Sequence, residues 1–326
     1  MTMNKVVVLD GGFASQLCTH VGDVVDGNPL WSAKFLASHP QAVTQTHLDF
    51  LRAGADAIMT NTYQASVDGF MKHLGLTREQ SIQLIKTAVE LAKEACVTFL
   101  QESGPNADLE KPLIVGSVGP YGASLHDYSE YTGDYVEKVS QQEIADWHRP
   151  RIQALLEAGV DLLALETIPA QAEGEALAEL IKEFPECRAW ISFSCKDEHH
   201  TSHGENFQEA ARCCWERNPT QLVAIGANCL NPKFVTPLIT GINDGTSSPV
   251  PLVVYPNSGE TFDPERGWVD GDNCVPVDSY VREWLNLGVT YIGGCCRTYA
   301  RDVCRIRSEV KKWIRERNCC KLSGRA

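Results

Sequence analysis

Two cysteines stand side by side, Cys295 and Cys296, directly after two glycines in the run "YIGGCC", and a third, Cys229, closes an earlier apolar run, "LVAIGANC". Zinc prefers thiolate and imidazole ligands in tetrahedral geometry. A catalytic zinc keeps three protein ligands and leaves the fourth position to substrate or water. Three convergent cysteines would therefore suit catalytic zinc, while three buried apolar cysteines form the alternative that spacing alone leaves open. Successive side chains of a regular strand point to opposite faces, so Cys295 and Cys296 can reach one centre only if the chain turns. Gly293 and Gly294 are expected to make that turn through backbone angles closed to other residues.

The elements that must position these thiols are legible as eight apolar, β-rich runs: "VVVLD", "AIMTNT", "LIVGSV", "LLALET", "AWISFSC", "LVAIGANC", "PLVVYPN" and "YIGGCC". Near-continuous apolar runs suit strands covered on both faces, as in a parallel sheet. "LRAGADAIMT", "LEAGVDLLAL" and "LNLGVTYIGG" repeat one design, a helix end, a glycine suited to the left-handed cap and a strand. Eight such units predict an α/β fold, a single (β/α)8 barrel of the TIM type, better than an open doubly wound sheet. Barrel enzymes place their chemistry at the C-terminal ends of the strands. Here those ends carry Asp10, Gly11 and Gly12; Asn61, Thr62 and Tyr63; Glu166 and Thr167; Asn228 and Cys229; and Cys295 with Cys296. Strands six and eight would be next-nearest neighbours, which brings Cys229 within reach of the adjacent pair.

The remaining cysteines of the thirteen carry less chemistry. Cys96 and Cys187 read as small apolar side chains. Cys213 and Cys214 fall in an expected helix, where neighbours point about 100° apart. "CKDEHHTSH" offers Cys195, His199, His200 and His203 but reads as a flexible loop after strand five. No G-x-S-x-G, P-loop, G-x-G-x-x-G or C-x-x-C is present. A net charge of -13 argues against nucleic-acid binding, and no membrane span or signal peptide is visible, so a cytoplasmic protein with small-molecule partners is expected. The barrel is assigned to residues 1–318, its last helix burying Val303, Ile306, Val310 and Trp313, and residues 319–326 to a C-terminal tail with Cys319 and Cys320.

"LDGGF", "TNTYQAS", "LLALET", "IGANCLNP", "YPNSGE" and "YIGGCC", in this order over nearly the whole chain, resemble the homocysteine S-methyltransferases, zinc-dependent barrels that form methionine. The resemblance implies that Cys229, Cys295 and Cys296 hold Zn2+, and that Asp10 and Glu166 receive the amino group of homocysteine. Physically, a bound ammonium needs carboxylates and a bound carboxylate needs donors, here the N–H groups of Gly11 and Gly12. Plainer roles are a turn residue for Asp10 and a helix-end charge for Glu166. A coordinated thiol is deprotonated, so no general base is needed, and an anionic sulfur would attack a sulfonium methyl in line. The chain looks closest to members using S-methylmethionine or S-adenosylmethionine, being too short for the C-terminal extension of betaine enzymes. Selenocysteine stays open as the acceptor. Phe13, Tyr63, Tyr121 and Tyr255 are aromatic candidates for the sulfonium, each with a core-packing alternative. Two rivals are a zinc- or thiol-sensing barrel without turnover and a dithiol redox enzyme. The strain of a disulfide between adjacent cysteines disfavours the second.

Overall fold

Each of the eight apolar runs forms a strand in the computed structural model, which describes residues 5–104, 110–263, 267–269, 271 and 274–322. The strands are β1 (Val7–Val8), β2 (Ala57–Met59), β3 (Leu113–Val118), β4 (Leu162–Ile168), β5 (Ala189–Phe193), β6 (Leu222–Asn228), β7 (Leu252–Tyr255) and β8 (Val289–Ile292). All neighbours pair in parallel, in the order β1-β8-β7-β6-β5-β4-β3-β2. This is the expected (β/α)8 barrel.

Its seam lies between the two ends of that order and is joined by side chains as well as backbone. The Asp56 N–H donates to the Val8 carbonyl (2.7 Å), and the Asp56 carboxylate accepts from the Val8 N–H (2.9 Å). At the mouth, Asp10 Oδ2 accepts from the Met59 N–H at 2.8 Å. Two carboxylates thus take the place of ladder bonds where β1 is shortest.

Side chains alternate along each strand, so the sheet has an inner and an outer apolar layer. Inside the barrel, Leu9, Met59, Val115, Trp190, Val253 and Tyr255 pack together; outside, the strands meet the helices in a larger core. The helices begin where the sequence offers caps. Thr77 with Gln80 and Ser140 with Glu143 form reciprocal capping boxes for Arg78–Ser103 and Gln141–Glu157. Gly54, Gly159 and Gly288, the glycines of the repeated design, have φ of 101°, 83° and 98°, the left-handed conformation expected of them. Val303, Ile306, Val310 and Trp313 are buried on the last helix, Ala300–Leu322, where each fully buried large side chain contributes roughly 1.5–3 kcal/mol.

Three features depart from the sequence reading. The last helix runs on to Leu322 and so carries Cys319 and the start of the proposed tail; residues 323–326 lie outside the described residues. A short antiparallel hairpin, Thr261–Asp263 with Gly267–Val269, follows β7. The segment after β5 is no loose loop: bridges pair Cys195 with Thr201 and His200 with Asn206, and His200 and His203 bond to Asp197 and Glu205. Among the described residues, no helix is long and apolar enough to cross a membrane.

Candidate active site

Cys229, Cys295 and Cys296 meet at the C-terminal mouth of the barrel, their sulfurs all within 4.8 Å of one another and those of Cys229 and Cys296 3.8 Å apart. The backbone reaches this arrangement differently from the expectation. β8 ends at Ile292, and neither Gly293 nor Gly294 has positive φ. They are glycines because the chain passes too close to its neighbours for a side chain: a Cβ on Gly293 would lie 2.6 Å from Leu9 Cβ, and one on Gly294 2.2 Å from Thr298 Oγ1. The left-handed residues are instead Cys229 (φ 54°) and Arg297 (φ 63°). With Trp31, His126, Tyr128 and Thr167, the described non-glycine residues of positive φ lie beyond or at the C-terminal strand ends, the strain a functional rim can hold.

The thiols also have partners around them. The Tyr131 hydroxyl lies 3.3 Å from Cys229 Sγ, and Asn257 Oδ1 accepts from the Cys296 N–H at 3.1 Å. Cys229 is pulled well below the ordinary thiol range, first by the hydrogen bond from Cys295, then by that from Cys296, with Tyr131 and Asn257 adding to it. Cys295 and Cys296 are pushed up in turn, above all by that same bond to Cys229. Among the described residues, no other group of three metal-ligating side chains converges in this way.

Asp10 and Glu166 line the same cavity as the three sulfurs. Glu166 sits within β4, not at a helix end, and accepts from the Ser117 hydroxyl. Burial pushes its carboxyl up to about 7, against the donors Ser117 and Tyr255 and with the Cys229 charge adding. Burial also pushes Asp10 well above the carboxylate range; the Met59 N–H opposes this and the Glu166 charge reinforces it. Asp10 Oδ1 and Asn61 Oδ1 are buried acceptors with no partner within the protein. Gly11 and Gly12 line the cavity too, but the Gly12 N–H is not free for a substrate, because it donates to the carbonyl (2.9 Å) and hydroxyl (3.1 Å) of Thr298. Gly12 serves closeness instead, since a Cβ there would lie 2.4 Å from the Cys295 carbonyl oxygen. The first turn of the helix Phe13–Val21 follows at once, and Phe13, Ala14 and Ser15 face the cavity.

Of the four aromatic candidates, Phe13, Tyr63 and Tyr255 line the cavity. Tyr121 does not; its ring packs on Tyr135 and Trp147. Trp31 and Tyr131 were not anticipated, and both line it, Trp31 edge-on to Tyr63 with ring centres 5.8 Å apart. Tyr131 belongs to a long polar and aromatic segment after β3, built from the short helical turns Tyr121–Ser124, Ser129–Tyr131 and Asp134–Glu137, which covers the mouth. Its length was the available signal, since barrel sites are built from the loops that follow the strands. Asn228, by contrast, is structural: its amide stitches β6 to Thr167 of β4 with two bonds of 2.8 Å.

A (β/α)8 barrel with three convergent thiols and two buried acids at its catalytic mouth defines a barrel enzyme whose chemistry centres on sulfur. Residues 7–310 match the family model described as homocysteine S-methyltransferase, and the chain belongs to that family. It is 51% identical over 314 residues to the betaine-homocysteine S-methyltransferase of Drosophila melanogaster, covering 94% of each chain. It is 41% identical to the homocysteine S-methyltransferase of Escherichia coli (strain K12), over 93% of this chain and 94% of that one. It is also 41% identical to the selenocysteine Se-methyltransferase of Brassica oleracea var. italica, over 89% of this chain and 85% of that one. The metallated form of the Escherichia coli homocysteine methyltransferase MmuM superposes with a TM-score of 0.80 at 39% identity, over 93% of this chain and 96% of that one. Because the Drosophila relative is named for betaine and is matched over nearly its full length, a short chain does not by itself exclude betaine as donor.

Proposed function

We propose that the protein transfers a methyl group from a small cationic donor, S-methylmethionine or S-adenosylmethionine, to the sulfur of homocysteine, forming methionine. The observation that carries this reading is the meeting of three thiols and two buried acids in one cavity. The thiols fit zinc: ligands about 2.3 Å from a tetrahedral centre lie roughly 3.8 Å apart, which is the Cys229–Cys296 spacing of 3.8 Å. Cys229, Cys295 and Cys296 would hold the ion, which when bound keeps a substrate thiol deprotonated at neutral pH.

The chain's own residues supply the rest. The unpartnered Asp10 Oδ1, with Glu166 and Asn61 Oδ1, would accept the three N–H bonds of the substrate ammonium. The N-terminal turn at Phe13–Ser15 would face its carboxylate, where helix N–H groups and dipole favour an anion. The aromatic wall of Trp31, Tyr63 and Tyr131 would receive the cationic donor through its ring faces and exclude water. An anionic nucleophile and a cationic donor lose charge toward the transition state, so a dry mouth favours the transfer.

A second reading, methylation of selenocysteine, is favoured by the similarity to the Brassica enzyme. A single barrel domain and a cytoplasmic location belong to the same proposal, as does the absence of a nucleic-acid or membrane partner. The deciding experiment offers the zinc-loaded protein homocysteine or selenocysteine with S-methylmethionine, S-adenosylmethionine or betaine and follows the methylated product. Methionine formed fastest from a sulfonium donor is the expected result, and no product from any pair would defeat the proposal.

A further inference from the structure

Behind the aromatic wall lies a buried group of charged side chains that the chemistry above does not use. Glu173, in the first turn of the helix Gln171–Leu180, accepts from His148 Nε2 (2.8 Å), from the Tyr121 N–H (2.7 Å) and from the Tyr135 hydroxyl. Arg151 donates to the carbonyls of Tyr63 (3.0 Å), Ala65 (3.2 Å) and Gly119 (2.6 Å), and its guanidinium lies 2.8 Å from His148 Nδ1. Arginine only donates, so His148 Nδ1 must accept, and the ring proton sits on Nε2, shared with Glu173. Burial pushes His148 down to about 4, which agrees with a neutral ring, and lowers Arg151 to about 10, which leaves it charged at neutral pH.

Buried charges of this kind are weak evidence for stability, since apolar replacements of similar volume are often neutral or better. What distinguishes this relay is what its two ends hold. The arginine end grips the backbone at Tyr63 and at Gly119, and a Cβ on Gly119 would lie 2.7 Å from the Tyr63 ring. The glutamate end grips Tyr121 and Tyr135, on either side of the turn that brings Tyr131 to Cys229. We propose that Arg151, His148 and Glu173 are positioning residues that hold Tyr63 and the cover segment at the methyl-donor side of the site. This rests on the assignment of that side to the donor.

The test uses the zinc-loaded full chain and three variants. His148→Leu removes both the acceptor and the donor, His148→Gln keeps one of each on its amide, and Tyr135→Phe removes only the hydroxyl given to Glu173. His148→Leu should raise the donor KM about tenfold, the scale of one lost buried hydrogen bond, with the homocysteine Kd and zinc per chain within about twofold of wild type. His148→Gln should restore most of the donor KM. Tyr135→Phe should raise it about threefold and keeps the test alive where His148→Leu does not fold. A donor KM unmoved in Tyr135→Phe and in any folded His148→Leu overturns the inference, as does a homocysteine Kd that shifts by the same factor as the donor KM. A wild-type protein that turns over no donor overturns the assignment beneath it and this inference together.

Discussion

Replacing Glu166 with Gln should make the protein more stable and less able to bind its acceptor, and the size of both effects follows from burial. The Glu166 carboxyl rises from 4.5 to about 7 on folding, with burial as the main cause. At about 1.4 kcal/mol for each pH unit, ionising it inside the fold costs roughly 3 kcal/mol. The sign follows from the raised value. Below pH 4.5 the group is neutral in both folded and unfolded chains and costs nothing; as pH rises to 7 the unfolded chain loses its proton first, and stability falls. Glu166→Gln keeps an acceptor for the Ser117 hydroxyl but never ionises. The variant should therefore match wild type near pH 4.5 and exceed it by up to about 3 kcal/mol at pH 8, read from guanidinium unfolding of metal-free protein. Calorimetry at pH 8 should show homocysteine affinity reduced by at least about thirtyfold, because one partner of a buried charge pair is gone. Equal stability at pH 8, or unchanged affinity, would refute the argument that Glu166 is a strained charge held for a ligand.

Cys229→Ala, Cys295→Ala and Cys296→Ala should each lose tight zinc binding and methyl transfer together, while Cys213→Ala, on the exposed side of an outer helix, keeps both; an active Cys296→Ala protein with full zinc content would falsify the ligand assignment. Gly12→Ala, at a φ of -66° open to any residue, should still lose metal, because its Cβ would meet the Cys295 carbonyl oxygen at 2.4 Å; overpacking of this kind costs about 1–3 kcal/mol, and wild-type zinc content by elemental analysis would count against it. Homocysteine added to zinc-loaded protein at pH 8 should release a proton, detected as buffer-dependent heat, and a heat independent of the buffer would show that the thiol is not bound as thiolate.

The strands and the rim residues were legible because apolar runs and their polar ends are local in sequence, and the glycine caps at Gly54, Gly159 and Gly288 each need only a φ that glycine favours. The thiol trio was legible through strand order, since β6 and β8 flank β7. Glycines 293 and 294 were misread because their reason is a contact with Leu9 and Thr298, and no local pattern encodes close approach. Thr298 likewise claims the Gly12 N–H from across the β1–β8 pair. Tyr131 and the Arg151 relay stayed hidden for the same cause: an arginine in a helix looks solvated until the fold closes over it, and only the fold brings the exposed Tyr131 to Cys229.

The carboxylate of Asp10 divides its two oxygens between different tasks. Oδ2 closes the seam by receiving the Met59 N–H, and Oδ1 waits in the cavity without a partner. An ammonium bound at Oδ1, as proposed, would withdraw electron density from Oδ2 and loosen its hold on Met59. Such binding would couple the barrel wall to its contents, so protium–deuterium exchange and the nitrogen-15 resonance of the Met59 amide would register an amino acid in the mouth. Occupancy could then be followed from the scaffold, with no isotope or dye on the substrate.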